Sequence, residues 1–434
     1  MSTFARPSLI NAAVAACLIP AFAFAQAPDR AIEFEDLGLD RGLEASARGS
    51  ALSAFAATAN DATALVYNPA GLARVKRIAG VASFSGARLT FDGSYAGTAR
   101  SADADEYALQ FIGAAFPLPV LRGSLVPAIG MQRVFTSSLD LAYRGFNTPD
   151  ARDDRFALYQ SGATYAYHVG AAIDLSSAFS AGASLIVLDG RVDRVRQYDT
   201  RGFVVDPNVH TYVYEDMGAD VGGYAARFGL QIFALDQLQF AITLTTRMAV
   251  EIQASTLTEE TRQVDNDVGT FTRETIETVT DYRVPYRVEG AVAIPATPAL
   301  LITAQVSYTD WSQATINSQR LITSELESVL RDVIDVRAGV EWTSARWPLR
   351  VRAGFAHSRR PAGFLEADRI DNDRLERIET ESPSVRYSLG AGWLVKGSIG
   401  IDAAFAHERG ERTSATMVEG RETTSVSVGC GYWF

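Results

Sequence analysis

Residues 238–252 read Leu-Gln-Phe-Ala-Ile-Thr-Leu-Thr-Thr-Arg-Met-Ala-Val-Glu-Ile. Leu238, Phe240, Ile242, Leu244, Met248, Val250 and Ile252 share one parity, with Gln239, Thr243, Thr245, Arg247 and Glu251 between them. An extended chain sends alternate side chains to opposite faces, whereas helical spacing would scramble the two sets. The period recurs with Tyr282, Val284, Tyr286, Val288, Val292 and Ile294 against Arg283, Arg287 and Glu289. It recurs again with Val336, Ala338, Val340 and Trp342 against Asp335, Arg337, Glu341 and Thr343, and with Leu349, Val351, Ala353 and Phe355 against Arg350 and Arg352. Each segment is expected to be a strand with one apolar face.

Outward from there, such segments lie at 78–91, 105–116, 124–136, 157–173, 178–197, 219–233, 237–255, 280–294, 299–311, 333–344, 348–357, 384–394, 397–409 and 421–434. The intervals alternate in length. Long ones fall at 92–104, 137–156, 198–218, 256–279, 312–332, 358–383 and 410–420, and short ones, with turn residues such as Pro295 to Pro298, fall between. A soluble sandwich has no reason to sort its connections this way. A transmembrane barrel does, with tight periplasmic turns, long outer loops and strands of about 9–11 residues crossing at a tilt. Closure leaves no unpaired backbone edge in lipid. The expected fold is all-β, a fourteen-stranded antiparallel transmembrane β-barrel of the Gram-negative outer membrane.

Composition agrees. The 434 residues carry 51 acidic and 40 basic side chains, 47% are hydrophobic, and the formal net charge is −11. An acidic balance argues against nucleic acid as a partner, since phosphate neutralisation needs a basic face. Beyond the N-terminus no apolar run is long enough for a membrane helix. Loops 256–279 and 358–383 hold more than half of the net negative charge, as solvated outer loops would.

Both ends carry targeting signals. Arg6, the apolar stretch Leu9 to Phe24 and Ala23-Phe24-Ala25 before Gln26 form an export signal over residues 1–25. A competing reading cuts before Cys17 in Val14-Ala15-Ala16-Cys17 and lipidates it. At the other end Val426, Val428, Cys430, Tyr432 and Phe434 share one face, and Ser427, Gly429, Tyr432 and Phe434 fit the polar-x-Gly-x-x-aromatic-x-aromatic ending read by the barrel-insertion machinery. An ordinary buried edge strand would leave this hydrophobic end as an aggregation hazard.

Residues 26–77 lack strand alternation. They are rich in small side chains from Ala45 to Ala64 and continue Asn60-Asp-Ala-Thr-Ala-Leu-Val-Tyr-Asn-Pro-Ala-Gly-Leu72. Pro69 fixes φ and Gly71 permits φ above zero, which is turn chemistry. Such a segment ahead of a barrel, here residues 78–434, is expected to fold into the lumen as a hatch. This stretch resembles the N-terminal hatch of the FadL-type outer-membrane transporters of long-chain fatty acids and other hydrophobic compounds. Tyr308-Thr309-Asp310-Trp311-Ser312 is similar to the Asp-Trp-Ser of that family, as are Arg337 to Trp342 and Arg352 to Phe355 to its paired strands. The resemblance implies a fourteen-stranded barrel with a hatch, in agreement with the count above.

The polar residues admit two readings each. Arg287, Glu289, Arg337, Glu341, Arg350 and Arg352 point into the lumen if their neighbours face lipid, either lining a water-filled route or bracing the wall as an ion-pair ladder. Interfacial girdles account for most of Tyr282, Tyr286, Tyr308, Trp342, Tyr432 and Phe434. Trp311 follows the alternation onto the lumen side, so with Asp310 and Ser312 it is a candidate ligand contact. Leu321, Ile322, Leu326, Val329 and Leu330 recur at helical spacing in an outer loop, as a greasy landing site or as packing on the rim. His168, His210, His357 and His407 form no metal-binding pair and no Gly-x-Ser-x-Gly elbow exists, so neither enzyme, metal nor cofactor is expected.

The expected function is passive uptake. In a barrel surrounded by outer-membrane lipid, a hydrophobic small molecule or fatty acid adsorbs at an apolar outer-loop site, enters the lumen and is released when the hatch around Asn68, Pro69, Ala70 and Gly71 shifts. The runner-up is an accessory barrel of a secretion or surface-assembly system. A general porin comes third, because a hatch argues against it.

Overall fold

A computed structural model describes residues 45–434 except 96–97, 122, 137–138, 148–151, 203–207, 235–237, 265–268, 319–330, 360–364, 367–375, 378–379, 382 and 414–416. The export signal and the helical stripe Leu321 to Leu330 therefore lie outside the described residues.

The wall is a closed antiparallel barrel of fourteen strands. Seven pieces lead up from the N-terminal side: β1 (Ala79–Tyr95), β2 (Thr98–Ala115), β3 (Leu125–Thr136), β4 (Leu139–Asn147), β5 (Arg152–Asp174), β6 (Phe179–Arg201) and β7 (Val209–Ala234). Next come β8 (Leu238–Thr245), β9 (Met248–Val264), β10 (Thr270–Val284), β11 (Arg287–Thr297), β12 (Leu300–Thr309), β13 (Thr315–Ser318), β14 (Val333–Thr343) and β15 (Leu349–Ser358). Three two-residue pieces, β16 (Leu365–Glu366), β17 (Glu376–Arg377) and β18 (Thr380–Glu381), precede β19 (Ser384–Val395), β20 (Ile399–Thr413) and β21 (Met417–Trp433). Four barrel strands are broken in two, as β3/β4, β8/β9, β10/β11 and β12/β13. The ring closes where β1 pairs with β21 from Ala79↔Trp433 to Tyr95↔Met417.

Most of the expected long loops are hairpins. Segments 92–104, 198–218 and 256–279 continue the strands below them, so β6 and β7 reach 23 and 26 residues where about ten span a bilayer. The reason lies in the residue types. Thr256, Thr258, Thr261, Thr272, Thr275 and Thr278 are β-branched and suit a strand that water wets on both faces, so pairing continues where the apolar face ends. On β6 the outward positions run Phe179, Leu185 and Val187, then Asp189, Arg191 and Asp193, which marks the upper edge of the lipid-facing band.

Inside the ring lie helix α1 (Ala47–Leu52), helix α2 (Ala64–Tyr67) and a 3-10 turn, Pro69–Arg74. Helix α1 packs on β14, β15, β19, β20 and β21, and the 3-10 turn packs on β3, β5, β6 and β7 across the lumen. Their small, almost wholly buried side chains let three short elements fill a space that a barrel wall bounds on all sides.

Candidate functional site

The turn at Asn68 joins the lumenal segment to the wall. Asn68 is 0% exposed; its Oδ1 accepts from Ala70 N at 3.1 Å and its Nδ2 donates to Leu230 O of β7 at 3.2 Å. Asn caps a turn with Pro at its first position, the arrangement that best satisfies the free N–H groups of a helix start. Gly71 and Gly229 have no substitute here: a Cβ would meet Ala59 O at 2.1 Å and Asn68 Oδ1 at 2.0 Å, respectively. Gln231 Nε2 donates to Ala57 O at 2.7 Å, and Thr243 Oγ1 to Tyr67 O at 3.5 Å. Burial pushes the Tyr67 phenol up, so its hydroxyl stays neutral and accepts Ser46 N at 3.2 Å.

Ion pairs line the opposite wall. Arg352 Nε bonds Glu341 Oε2 at 2.6 Å and its Nη1 bonds Asp402 Oδ1 at 2.5 Å; Arg287 meets Glu289 at 2.9 Å, and Asp335 lies between Arg287 and Arg337 at 3.7 and 3.8 Å. Arg48 of α1 joins the ladder through Glu341 at 3.8 Å. All six charged residues singled out above face inward, and carboxylates take up most of their charge, which favours the bracing role.

Above the lumenal segment the interior turns greasy. Ile186, Leu188, Val221, Ala225, Met248, Val250, Tyr282 and Ala314 form one buried apolar cluster, with Val134, Val192, Ile252, Val284 and Trp311 against it. Alternation places Met248, Val250 and Tyr282 on the lipid face, and the structure corrects this. Ile242 is 47% exposed and Val250 2%, although they share parity. The cause is one extra residue. Opposite β7, Arg227 pairs with Thr245 and Tyr224 with Ala249, so two residues of β7 face three of the broken strand. A bulge of this kind reverses every side chain beyond it. Strand β10/β11 breaks alongside, at Pro285-Tyr286, and carries Tyr282 inward while Val288 stays outside.

The third break adds to the cluster. Between β12 and β13 the chain forms a 3-10 turn, Trp311–Gln313. Asp310 holds it, accepting from Ser312 Oγ at 2.6 Å and Gln313 Nε2 at 2.5 Å, and so sets Trp311 against the apolar cluster. Asp310 and Ser312 shape the turn; Trp311 packs on the cluster.

Among the described residues, strand pairing lapses beside this cluster. The β2–β3 ladder runs from Ala115↔Ala128 to Phe111↔Gln132 and stops, and β4 pairs with β5. Arg133 and Glu106, 3.0 Å apart, bridge this seam by side chains, and Val134 next to them packs on the apolar cluster.

At the C-terminus Ser427 is buried toward the lumen, while Tyr432 and Phe434 face out with rings 4.4 Å apart, edge to face. Among the described residues no cluster of His, Cys, Asp and Glu has the makings of a metal site.

Fold and site together define a fourteen-stranded antiparallel barrel whose lumen holds an N-terminal segment beneath a buried apolar cluster, an architecture similar to that of FadL-type outer-membrane barrels. Solved structures share the fold. The P. putida toluene transporter TodX superposes with a TM-score of 0.61 at 12% identity, covering 87% of this chain and 94% of that one. A Pseudomonas aeruginosa FadL homologue gives 0.61 at 13% identity over 91% and 98%. The CymD monoaromatic hydrocarbon channel gives 0.59 at 13% over 90% and 98%. No family model and no curated protein matches the chain.

Proposed function

We propose that this barrel carries hydrophobic small molecules, long-chain fatty acids among them, passively across the outer membrane. The observation that carries the reading is the inward reversal of Met248, Val250 and Tyr282. Apolar side chains that would be stable against lipid are instead gathered with Ile186, Leu188 and Val221 inside the barrel. In this reading the cluster forms the wall of a ligand chamber, since small-molecule sites are concave and mostly apolar with few polar groups. The names of the similar structures, a toluene transporter and a monoaromatic hydrocarbon channel, support the same substrate class.

Residues 45–75 act in this reading as a hatch that keeps water and small solutes from crossing. A ligand leaves the chamber by the seam at Val134 and Arg133, or downward when the turn Asn68-Pro69-Ala70-Gly71 lets go of Leu230. No step consumes energy, so the concentration gradient drives net flow. Uptake of radiolabelled oleate and toluene by cells with and without the protein tests the proposal; equal uptake of both compounds in the two strains would refute it.

A further inference from the structure

Strands β4 to β7 carry a cleft on their outward face, far above the lipid. β5 and β6 pair without a bulge from Asp174↔Ser180 to Asp153↔Arg201, and β6 and β7 from Phe179↔Ile232 to Arg201↔His210. The face that shows Val169, Val187 and Phe228 to lipid below is therefore the face that shows Arg155, Gln197 and Tyr212 above. Gln197 lies ten residues beyond Val187 on β6. At about 3.3 Å per residue and a tilt of about 40°, that puts the cleft about 25 Å above the last lipid-facing side chain of β6.

The cleft exists because Ala142 of β4 lies opposite Ala157 of β5, so that two methyl groups make a floor between longer side chains. Arg144, Arg155, Gln197, Asp199 and Tyr212 stand around it and bound about 500 Å³, within the range of small-molecule sites. Arg144 and Arg155 are directly opposite each other, and like charges so placed repel. Arg144 is held by Asp153 at 2.8 Å. Arg155 has only Asp199, at 3.9 Å, and that carboxylate is already taken by His210 at 2.7 Å and Arg201 at 3.5 Å. Among the described residues three guanidinium groups thus share two carboxylates. Gln197 and the Tyr212 hydroxyl bond to no protein group among those residues, so their hydrogen-bonding capacity is unspent.

We propose that this cleft binds the phosphorylated sugar chain of lipopolysaccharide, the glycolipid that surrounds an outer-membrane barrel in the outer leaflet. The alanine floor and the Tyr212 ring suit the C–H face of a sugar ring, and Gln197 and the phenol suit its hydroxyl groups. Arg155, with Arg144 beside it, offers a phosphate paired N–H donors and relieves the repulsion between the two cations. A free sugar phosphate has the same chemistry, but a chain anchored in the adjoining leaflet is held at the height of the cleft at high effective concentration. The cleft lies on the far side of the wall from the lumen, and transport is not required for its occupation.

The test titrates the purified full-length barrel in neutral detergent, with heat-modifiable gel migration as the check on folding. The probes are rough lipopolysaccharide with a phosphorylated core, the same lipid from a strain that lacks the core phosphates, and lipid A without core sugars. The phosphorylated core is expected to bind at least about tenfold more tightly than either of the others. Ala157→Trp, which fills the floor, and Arg155→Gln should each abolish that preference and leave lipid A unchanged, while Arg155→Lys keeps part of it. Core oligosaccharide freed from its lipid should compete at higher concentration. Equal affinity of the wild type for the three lipids, variants that keep the preference, or a free oligosaccharide that never competes would each overturn the proposal.

Discussion

Asn68 Nδ2 donates to Leu230 O at 3.2 Å, and through this bond the lumenal segment reaches the backbone of the barrel wall, 162 residues away in sequence. The same side chain caps the turn that begins at Pro69, so local geometry and seating depend on one amide. Asn68→Ala removes both bonds and leaves the Ala70 N–H and Leu230 C=O without this partner, at a cost of about 1–3 kcal/mol. Gly229→Val forces the seat apart sterically. Both variants, and deletion of residues 26–77 in larger measure, should raise the permeability of reconstituted vesicles to small hydrophilic solutes. Unchanged permeability after the deletion would remove the hatch role.

Ile242 and Val250 share parity in the sequence and face opposite ways in the barrel. Arginine at the two positions should separate the consequences. Ile242→Arg places a charge in lipid and should lower barrel stability by about 2–4 kcal/mol, read by urea titration in vesicles. Val250→Arg places it in the chamber and should leave insertion near normal while abolishing uptake of hydrophobic probes.

Glu341 holds Arg352, Arg350 and Arg48 together. Glu341→Gln leaves the buried Arg352 with Asp402 alone and takes the carboxylate from Arg48, and should cost about 1–3 kcal/mol, whereas replacing Glu341 and Arg352 together by apolar residues of similar size should cost less. The comparison is read from unfolding midpoints. Equal losses in the two variants would mean that the ladder does not brace the wall.

Glu106 and Arg133 span the seam between β2 and β3. With Cys430 changed to serine, the pair Glu106→Cys and Arg133→Cys can be tied by a short bis-maleimide. Cross-linking should slow delivery of a hydrophobic probe by several-fold if the seam is an exit, and have no effect on the uncross-linked double variant. Undiminished delivery through a fully cross-linked barrel would leave the downward path past Asn68 as the route.

Much of this was legible in the residues. Strand number and closure follow from parity and loop spacing, and the last strand declares its faces because Val426, Val428 and Cys430 keep a strict period up to the end. The lengths of the outer connections were not legible, because Thr-rich strands wet on both faces show no apolar alternation. The chamber was hidden for a subtler reason. Alternation runs from Leu238 to Ile252 with a single lapse, Thr246 in an apolar position, which is where the bulge at Thr246-Arg247 falls but which alone does not declare an extra residue. Pro285 on the neighbouring strand also hinted at a break, since proline cannot complete a ladder. Asn68-Pro69 declared a turn, but its partner on β7 is a backbone carbonyl, which leaves no trace in composition. His168 read as a lone histidine, and its isolation is a property of the packed lumen.

The central claim is that a hydrophobic ligand occupies the chamber formed by the reversed strands. A diazirine-bearing long-chain probe, photolysed in the protein with and without excess unlabelled oleate and mapped by mass spectrometry, tests it most directly. Label at Met248 to Ile252 and at Ile186 to Leu188 that the competitor removes is the predicted result. Label confined to outward positions such as Ile242 and Val428, indifferent to the competitor, would contradict it.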